Sequence, residues 1–427
     1  MTKNALIITL GCRLNHADTA LLSTRLAKAG YNLIDESEKN PDLIILNSCA
    51  ITAEAERKSH QLLRKLRKNH PAATIFATGC AAESAPEKML TSGADKVISN
   101  PGKKDIFSDF PCHTKSNSLP PLNFTENGFS SFPFRSRAFI KIQEGCDNCC
   151  SYCIVPTVRG RSRSRKFKEC IDDCINAINN GFPEIVLTGV NTCNYFDDGK
   201  TLPDLIKEIA SVPGEFRIRL SSTEPHPGDM SLIEMMADDK NKLCRFLHLS
   251  MQHGSNKILR AMYRRYTVEE FIDFAEKAKK IIPDIHLGSD FIVGFPGETD
   301  DDFEQLCKVV QDVVFANIHA FIYSVRPGTP AAELPEKIAP EISKMRIKRL
   351  MELGNRTAEQ FAKTQVGKIL PVIFETEKNG FIRGWSDNYL AVKEPSGAFP
   401  LGKIVHVTGN EKNLAENLKN HRCGGIL

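Results

Sequence analysis

The chain has one tryptophan in 427 residues, 7% aromatic residues and a formal net charge of only +4. It has no apolar run near the ~18 residues of a membrane span. Its opening, MTKNALIITLGC, lacks the basic region, apolar core and small-residue cleavage site of a secretory signal and reads instead as a strand. A cytoplasmic location with reduced thiols is therefore expected. Cysteine, at 14 of 427, is far below the ~8–10% of a disulfide scaffold, which excludes a stapled mini-protein. With 25% charged and 41% hydrophobic residues, wholesale disorder is excluded too. The balance of 56 Lys+Arg against 52 Asp+Glu neither requires nor forbids nucleic acid, so the clustering of charge decides. Fourteen thiols in a reducing compartment raise the question of metal or redox chemistry, in which position matters more than number.

At ~100–200 residues per domain the length suggests two to four domains. Residues 1–111 alternate strand and helix: Ala5 to Leu10, a helix over 16–29, Asp42 to Asn47, a basic amphipathic helix over 52–69, Thr74 to Thr78, and Lys96 to Ser99. This rhythm predicts a doubly wound parallel α/β domain. Residues 112–135, rich in Pro, Ser, Asn and Gly, read as a linker. Over 136–364 six strand candidates recur: Ala138–Ile142, Glu184–Thr188, Arg217–Ser221, Phe246–Ser250, His286–Gly294 and Ile318–Ser324. Helical stretches at 168–180, 230–239, 267–282 and 300–314 separate them, and a basic amphipathic helix at 341–364 follows. Six βα units fit a partial barrel, since eight take ~250 residues. An open doubly wound sheet is the competing topology. Residues 365–410 read as short strands with an Asn379-Gly380 hairpin turn, a small all-β barrel, and 411–427 as a polar tail.

Two groups of cysteines stand out. The run Gly145-Cys146-Asp147-Asn148-Cys149-Cys150-Ser151-Tyr152-Cys153 follows the first barrel strand, at the end where such barrels place active sites. Three thiolates on one tight loop can hold three irons of a [4Fe–4S] cube and leave the fourth open to a small molecule. Either 146/150/153 or 146/149/153 can supply the three. Two abutting zinc knuckles are the alternative, but zinc ribbons separate their knuckles by ~15–20 residues. The other group is dispersed: Cys12, Cys49 and Cys80 each end a strand (LIITLGC, LIILNSC, TIFATGC). In a parallel sheet all three share the carboxyl edge, the usual ligand crevice. One such cysteine is ordinarily a small buried residue, whereas three at equivalent positions point to a second metal cluster, with Asn15, Asn47 and Ser48 as hydrogen-bond partners of the sulfurs. Cysteines 112, 149, 170, 174, 193, 244, 307 and 423 read as small apolar fillers.

Positive charge is local. Arg159, Arg161, Arg163, Arg165, Lys166 and Lys168 fall within ten residues, and their alternation would place four arginines on one side of an extended segment, suited to phosphates. A solvated basic loop is the plain alternative. The basic helix 52–69 reads more simply as a solvated face. In the C-terminal module Arg383, Trp385, Tyr389 and Lys393 mix basic and aromatic residues, suited either to stacking bases or to a small core.

Cys146-x-x-x-Cys150-x-Tyr152-Cys153 resembles the radical S-adenosylmethionine (SAM) superfamily, which favours 146/150/153 and leaves Cys149 spare. The longer KIQEGCDNCCSYCIVPTVRGRSRSR looks like the methylthiotransferases. So do TLGCRLN, NSCAITAEAERKSHQ, TGCAA, VLTGVN, RLSSTEP, HLSMQHGS, DFIVGFPGET and YSVRPGTPAA, which together span nearly the whole chain. The wording TLGCRLN and GFPGET/RPGTPAA looks closest to the branch acting on N6-threonylcarbamoyladenosine at position 37 of tRNA. His248-Leu-Ser-Met-Gln and Thr157-Val158 depart from the commoner family wording.

The resemblance implies a radical-SAM barrel, a C-terminal TRAM-like module associated with RNA binding, two [4Fe–4S] clusters and SAM. One cluster would sit on Cys146, Cys150 and Cys153, cleaving SAM to a radical; the other, on Cys12, Cys49 and Cys80, would carry the sulfur that a second SAM methylates. It implies transfer of a methylthio group to carbon 2 of the adenine, with tRNA as partner and an electron donor such as a flavodoxin-type protein. Asn191, Ser221, Ser222, Glu224, Gln252, Ser255 and Gly294–Gly297 follow barrel strands where SAM and substrate would lie. Each also reads as turn or capping chemistry, and Thr299 with Asp302 as a helix cap. Arg159, Arg161, Arg163, Arg165 and Arg383 are the RNA candidates. The same chemistry on N6-isopentenyladenosine-37 or on a ribosomal-protein aspartate is the nearest alternative, and a non-catalytic zinc-containing RNA-binding protein the distant one.

Overall fold

The computed structural model describes residues 3–36, 38, 40–106, 123–124, 126, 136–221, 223–224 and 228–419. Most of the expected linker, the tail beyond 419, Ser222, Cys112 and Cys423 lie outside them.

The N-terminal unit is a parallel sheet of β1 (Asn4–Thr9), β2 (Asn32–Leu33), β3 (Leu43–Ser48), β4 (Thr74–Gly79) and β5 (Lys96–Val97), in the order β2-β1-β3-β4-β5. β3 is central, and all six of its residues, LIILNS, are buried, as expected of a strand covered on both faces. Helix α1 (Arg13–Lys28) and helix α2 (Ala53–Asn69) begin directly after the cysteine loops that end β1 and β3. Thr52 caps α2 by accepting from Ala55 N–H at 3.1 Å. Strand order reverses between β1 and β3, which creates a crevice at the carboxyl edge. β2 is the one strand the sequence pattern misses, because two residues are too short to show alternation.

The central unit contains the six expected strands: Arg137–Lys141, Glu184–Thr188, Arg217–Leu220, Phe246–Gln252, His286–Val293 and Asn317–Ile322. The first three form one parallel sheet in sequential order and the last three another. Parallel bridges Ile218–Leu243 and Thr223–Leu249 join them. The order runs first to sixth without the reversal an open doubly wound sheet requires, so the topology is the partial barrel. Ile140, Ile185, Leu187, Ile218, Leu247 and Leu249 pack outward in one apolar core. By the period-two rule, the residues between them turn inward. The lumen therefore receives Lys141, Glu184, Thr188, Arg217, Arg219 and His248, where barrels of this type ordinarily stack branched apolar side chains.

α1 lies against the inner face of the first barrel strand. His16 stacks on Phe139 with ring centroids 5.8 Å apart, and Asp18 pairs with Lys141 at 2.8 Å. Arg13 sits over the rings of Phe246 and Tyr389, at 5.4 and 5.3 Å. The first helix of the N-terminal unit thus fills part of the barrel's interior.

The C-terminal strands Ile369–Lys378, Phe381–Ser386, Ala391–Pro395 and Ile404–Thr408 form one antiparallel sheet, third-second-first-fourth. It is the small all-β C-terminal module expected; among the described residues its two outer strands are not paired with each other. Asn379 and Gly380 both adopt positive φ, 55° and 75°, as a type I′ turn demands. The 385–389 loop covers the amino end of the barrel: Arg217 donates to Trp385 O at 3.0 Å and Arg219 to Asp387 O at 2.9 Å. Glu184, fully buried, pairs with both arginines at 2.6 and 2.8 Å.

Candidate active site at the two cysteine sets

The loop after the first barrel strand is tied down by its backbone. Cys146 N–H donates to Gly160 O at 3.1 Å and Cys153 N–H to Cys150 O at 3.1 Å. Gly145, at φ +72°, has no room for a side chain, because a Cβ would lie 2.0 Å from Arg161 O. Cys149 is exposed, whereas Cys146, Cys150 and Cys153 are partly buried. Cys153 feels the charge of both Cys150 and Cys146. The geometry thus groups 146, 150 and 153 and turns Cys149 away. Burial pushes the Cys146 thiol up to about 11 and Cys153 up to about 12, although the backbone N–H of Asn148 and of Val155 each donate to one of these sulfurs at 3.4 Å. Arg264, buried, donates to Cys150 Sγ at 3.2 Å and pairs with Glu224 at 2.5 Å.

The second set is assembled by the sheet. Cys12 follows β1 as the N-cap of α1, Cys49 follows β3, and Cys80 follows β4. Cys12 and Cys49 therefore flank the strand-order reversal. A Cβ on Gly11, which has φ +100°, would lie 2.9 Å from Cys49 Sγ, so only glycine lets these two loops meet. Burial raises the Cys12 thiol and pushes Cys49 up to about 12, and Cys49 feels both Cys12 and Cys80. Asn15, Asn47 and Ser48 do not bond the sulfurs as expected; they fix the loops instead. Asn15 Nδ2 donates to Leu10 O and Ser48 O, Asn47 Nδ2 to Asn15 O, and Ser48 Oγ to Thr78 O.

A tetrahedral zinc ion at Zn–S ~2.3 Å needs its sulfurs about 3.8 Å apart. Among the described residues neither cysteine set brings three sulfurs all within 4.8 Å of one another. All six thiols are free of disulfides. Soft thiolate donors in sets of three suit iron–sulfur clusters.

The basic segment 159–168 is not the phosphate-facing strip that its alternation suggests. Arg159 is buried and pairs with Asp18 at 2.8 Å and Glu144 at 3.0 Å. Arg165 is buried against Asp173 at 2.6 Å and the Glu126 carbonyl. Arg163, largely covered, pairs with Glu144 at 3.3 Å. Only Arg161 of the four faces solvent, 62% exposed and paired with Asp147 at 3.0 Å. The cause is a buried ionic network: Asp18 also binds Lys103 at 2.5 Å and Lys141 at 2.8 Å. Burial alone would raise the Asp18 carboxyl, but Lys103, Lys141 and Arg159 hold it well below the usual carboxylate range. In the C-terminal sheet Arg383 is 37% exposed and pairs with Glu416 at 2.5 Å. Trp385 stacks on Tyr389, and Tyr389 packs on Phe246 and His286 in the domain interface, not on a free surface.

The residues expected to meet SAM divide. Glu224 joins the first set, accepting from Asn148 Nδ2 at 3.1 Å and from Arg264, and burial raises its carboxyl. Asn191 and Ser221 end neighbouring strands. The Asn191 side chain caps the turn at Cys193 N–H, and Ser221 Oγ lies 3.1 Å from Thr188 Oγ1. Gln252 is buried at φ 72°, where the strand's register shifts. Gly294 lies apart: a Cβ there would strike Ser343 Oγ at 2.3 Å, so packing against the helix Pro340–Lys363 explains the glycine. Thr299 and Asp302 form the expected capping box, which Ser255 joins at 2.6 Å.

Three features escape the sequence reading. Arg264 bonds the first set from the first arginine of MYRRYT. Lys103 and Lys141 complete the Asp18 network. His248 and His319 flank Asp290, with ring nitrogens 2.9 and 3.0 Å from one carboxylate oxygen. Alternating charge along strands that also carry apolar residues was the available signal for Lys141, His248, Asp290 and His319.

Residues 140–310 match the family described as Radical SAM superfamily, and residues 4–99 that described as Uncharacterized protein family UPF0004. The chain is 35% identical over 416 residues to the threonylcarbamoyladenosine tRNA methylthiotransferase MtaB of Bacillus subtilis, covering 93% of this chain and 92% of that protein. It is 34% identical over 416 residues to a tRNA-2-methylthio-N(6)-dimethylallyladenosine synthase of Wolbachia pipientis subsp. Culex pipiens, covering 92% of each. Among solved structures it shares its fold with the radical S-adenosylmethionine methyltransferase TsrM of Kitasatospora setae, at TM-score 0.57 and 15% identity, over 78% of this chain and 77% of that one.

Proposed function

The chain belongs to the radical SAM tRNA methylthiotransferases, enzymes that use SAM and a [4Fe–4S] cluster, and from that premise we propose that it methylthiolates carbon 2 of N6-threonylcarbamoyladenosine at position 37 of tRNA. Cys146, Cys150 and Cys153 would hold the cluster that binds SAM, and Cys12, Cys49 and Cys80 a second one. When bound, the first cluster and SAM supply a carbon radical able to take hydrogen from an inert C–H bond, which acid–base groups cannot do. The protein's part is placement. The observation that carries the proposal is that two sets of three cysteines stand at the carboxyl ends of two parallel sheets whose loops interlock through Arg159.

Glu224 and Arg264 form a polar pair beside Cys150, suited to the charged amino-acid end of SAM. α1 occupies part of the lumen. The proposed domain limits are 1–111, 136–364 and 365–410, with a flavodoxin-type electron donor and a cytoplasmic location. No helix among the described residues is long and apolar enough to cross a membrane.

Relatives carry two substrate names, and the lumen supports one of them. Thr188, Ser221, His248, Asp290 and His319 lie on or directly after the barrel strands and hydrogen-bond one another in two groups. A dimethylallyl group finds few apolar partners there, whereas a threonylcarbamoyl group brings an amide, a hydroxyl and a carboxylate that polar side chains can satisfy. Mass spectrometry of tRNA nucleosides from cells lacking the gene tests this. Loss of the methylthio-threonylcarbamoyl nucleoside with the dimethylallyl one unchanged is expected; the opposite pattern overturns the substrate choice.

A further inference from the structure

Each cysteine set has a buried guanidinium on one of its sulfurs: Arg264 on Cys150 at 3.2 Å, and Arg159 Nε on Cys80 at 3.4 Å. Arg264 is a neighbour of its set, whereas Arg159 is built into both sets at once. It ends the short helix Val155–Arg159 that leaves the first set's loop, and the next residue's carbonyl, Gly160 O, accepts from Cys146 N–H.

Its side chain then crosses to two of the second set's three loops and, through Asn15, is linked to the third. Nε reaches Cys80 Sγ. Nη1 reaches Asp18 at 2.8 Å and Glu144 at 3.0 Å, and Nη2 reaches Asn15 Oδ1. Asn15 and Asp18 belong to α1, which Cys12 caps, and Asn15 Nδ2 donates to Ser48 O, beside Cys49. With its anchors on two carboxylates and an amide, the guanidinium cannot swing away. A fixed positive charge in a buried site acts on its neighbours far more strongly than one in water. Hydrogen bonds and local charge at the sulfurs are among the factors that set the potential of an iron–sulfur cluster.

We infer that Arg159 is the positioning residue of the second cysteine set: it holds Cys80 in place and raises the reduction potential of the cluster carried there, while its own helix anchors the first set's loop. This rests on the reading of Cys12, Cys49 and Cys80 as cluster ligands. The added electron makes the cluster and its thiolates more negative, and the donating guanidinium stabilises that form, so removing it lowers the midpoint potential.

The test uses the full chain, reconstituted without oxygen, with Cys146, Cys150 and Cys153 replaced by alanine so that only the second set reports. If this parent holds no iron, the two-cluster reading fails before Arg159 is touched. If it does, iron analysis and an EPR-monitored redox titration compare Arg159→Met and Arg159→Lys with it. Arg159→Met is expected to shift the midpoint negative by at least a tenfold change in the oxidised-to-reduced ratio, 59 mV for one electron, and Arg159→Lys by less. The complementary chain with Cys12, Cys49 and Cys80 replaced by alanine keeps its iron with Arg159→Met. Loss of iron from the second set alone supports the holding half of the inference. An unchanged midpoint with iron retained, or loss of iron from both sets together, overturns it.

Discussion

The two cysteine sets reach similar chemistry by opposite routes. Cys146, Cys150 and Cys153 lie on one loop, so their spacing is a property of a few backbone torsions and two hydrogen bonds. Cys12, Cys49 and Cys80 come from three strand ends, so their meeting is a property of the whole N-terminal sheet. The local set is written in a motif. The assembled set is written in the register of β1, β3 and β4, and it is sealed by charges from another domain: Lys141 and Arg159 of the barrel close on Asp18 of α1. A local site tolerates loosening of the fold around it, whereas an assembled one does not.

The largest expected effect separates the sets by activity. Replacing Cys146, Cys150 or Cys153 with alanine is expected to abolish both SAM cleavage and product. Cys49→Ala should abolish the methylthio product yet leave reductive cleavage of SAM, seen as 5′-deoxyadenosine by chromatography. Cys149→Ala, at the exposed position, should leave both. Full product from Cys49→Ala would break the comparison, because the second set would then be structural.

Next in size is the network that seals the assembled set. Asp18→Ala takes the shared carboxylate from three buried cations and leaves Lys103 with no carboxylate partner, and breaking a buried pair in this way costs ~3–5 kcal/mol, read as a lower midpoint in urea. Asp18 has a depressed folded pKa, so its contribution is fully present above the ordinary carboxylate pKa and is lost as pH falls below it, toward the folded pKa. The thermal midpoint should therefore drop on acidification, and Asp18→Asn should flatten that dependence. An unchanged slope would mean that the network does not hold the domains together.

The smallest effect concerns the surface. Arg161→Ala removes an exposed, solvent-screened ion pair, so its stability should barely change. If Arg161 meets phosphate, tRNA affinity should fall a few-fold and its salt slope should lessen by about one. Arg165→Ala, by contrast, should cost stability first. Equal losses of affinity in the two variants, without loss of stability in the second, would restore the phosphate-facing strip to the account.

Much of this was legible in the sequence. The strands ending in Gly-Cys or Ser-Cys gave the second set because apolar runs mark buried parallel strands and their ends mark the crevice. Six barrel strands were legible for the same reason. The fate of Arg159 and Arg165 was not, since charge in a sequence reads as solvent exposure unless its partners are known, and Asp18, Lys103 and Glu144 are scattered over more than a hundred positions. Lys141, Glu184 and Arg219 hid likewise on strands whose other face is apolar. The C-terminal strands were legible from their short alternating runs and the Asn379-Gly380 turn. Spacing alone left Cys149 and Cys150 both open in the local set; the family resemblance favoured Cys150, and the loop's conformation turns the Cys149 thiol outward.

Iron analysis of the protein isolated without oxygen tests the two-set account most directly. Two cubes give about eight irons per chain, falling to about four when Cys12, Cys49 and Cys80 are replaced by alanine, and to about four when Cys146, Cys150 and Cys153 are. A wild-type chain with about four irons that the first triple replacement leaves unchanged would contradict it.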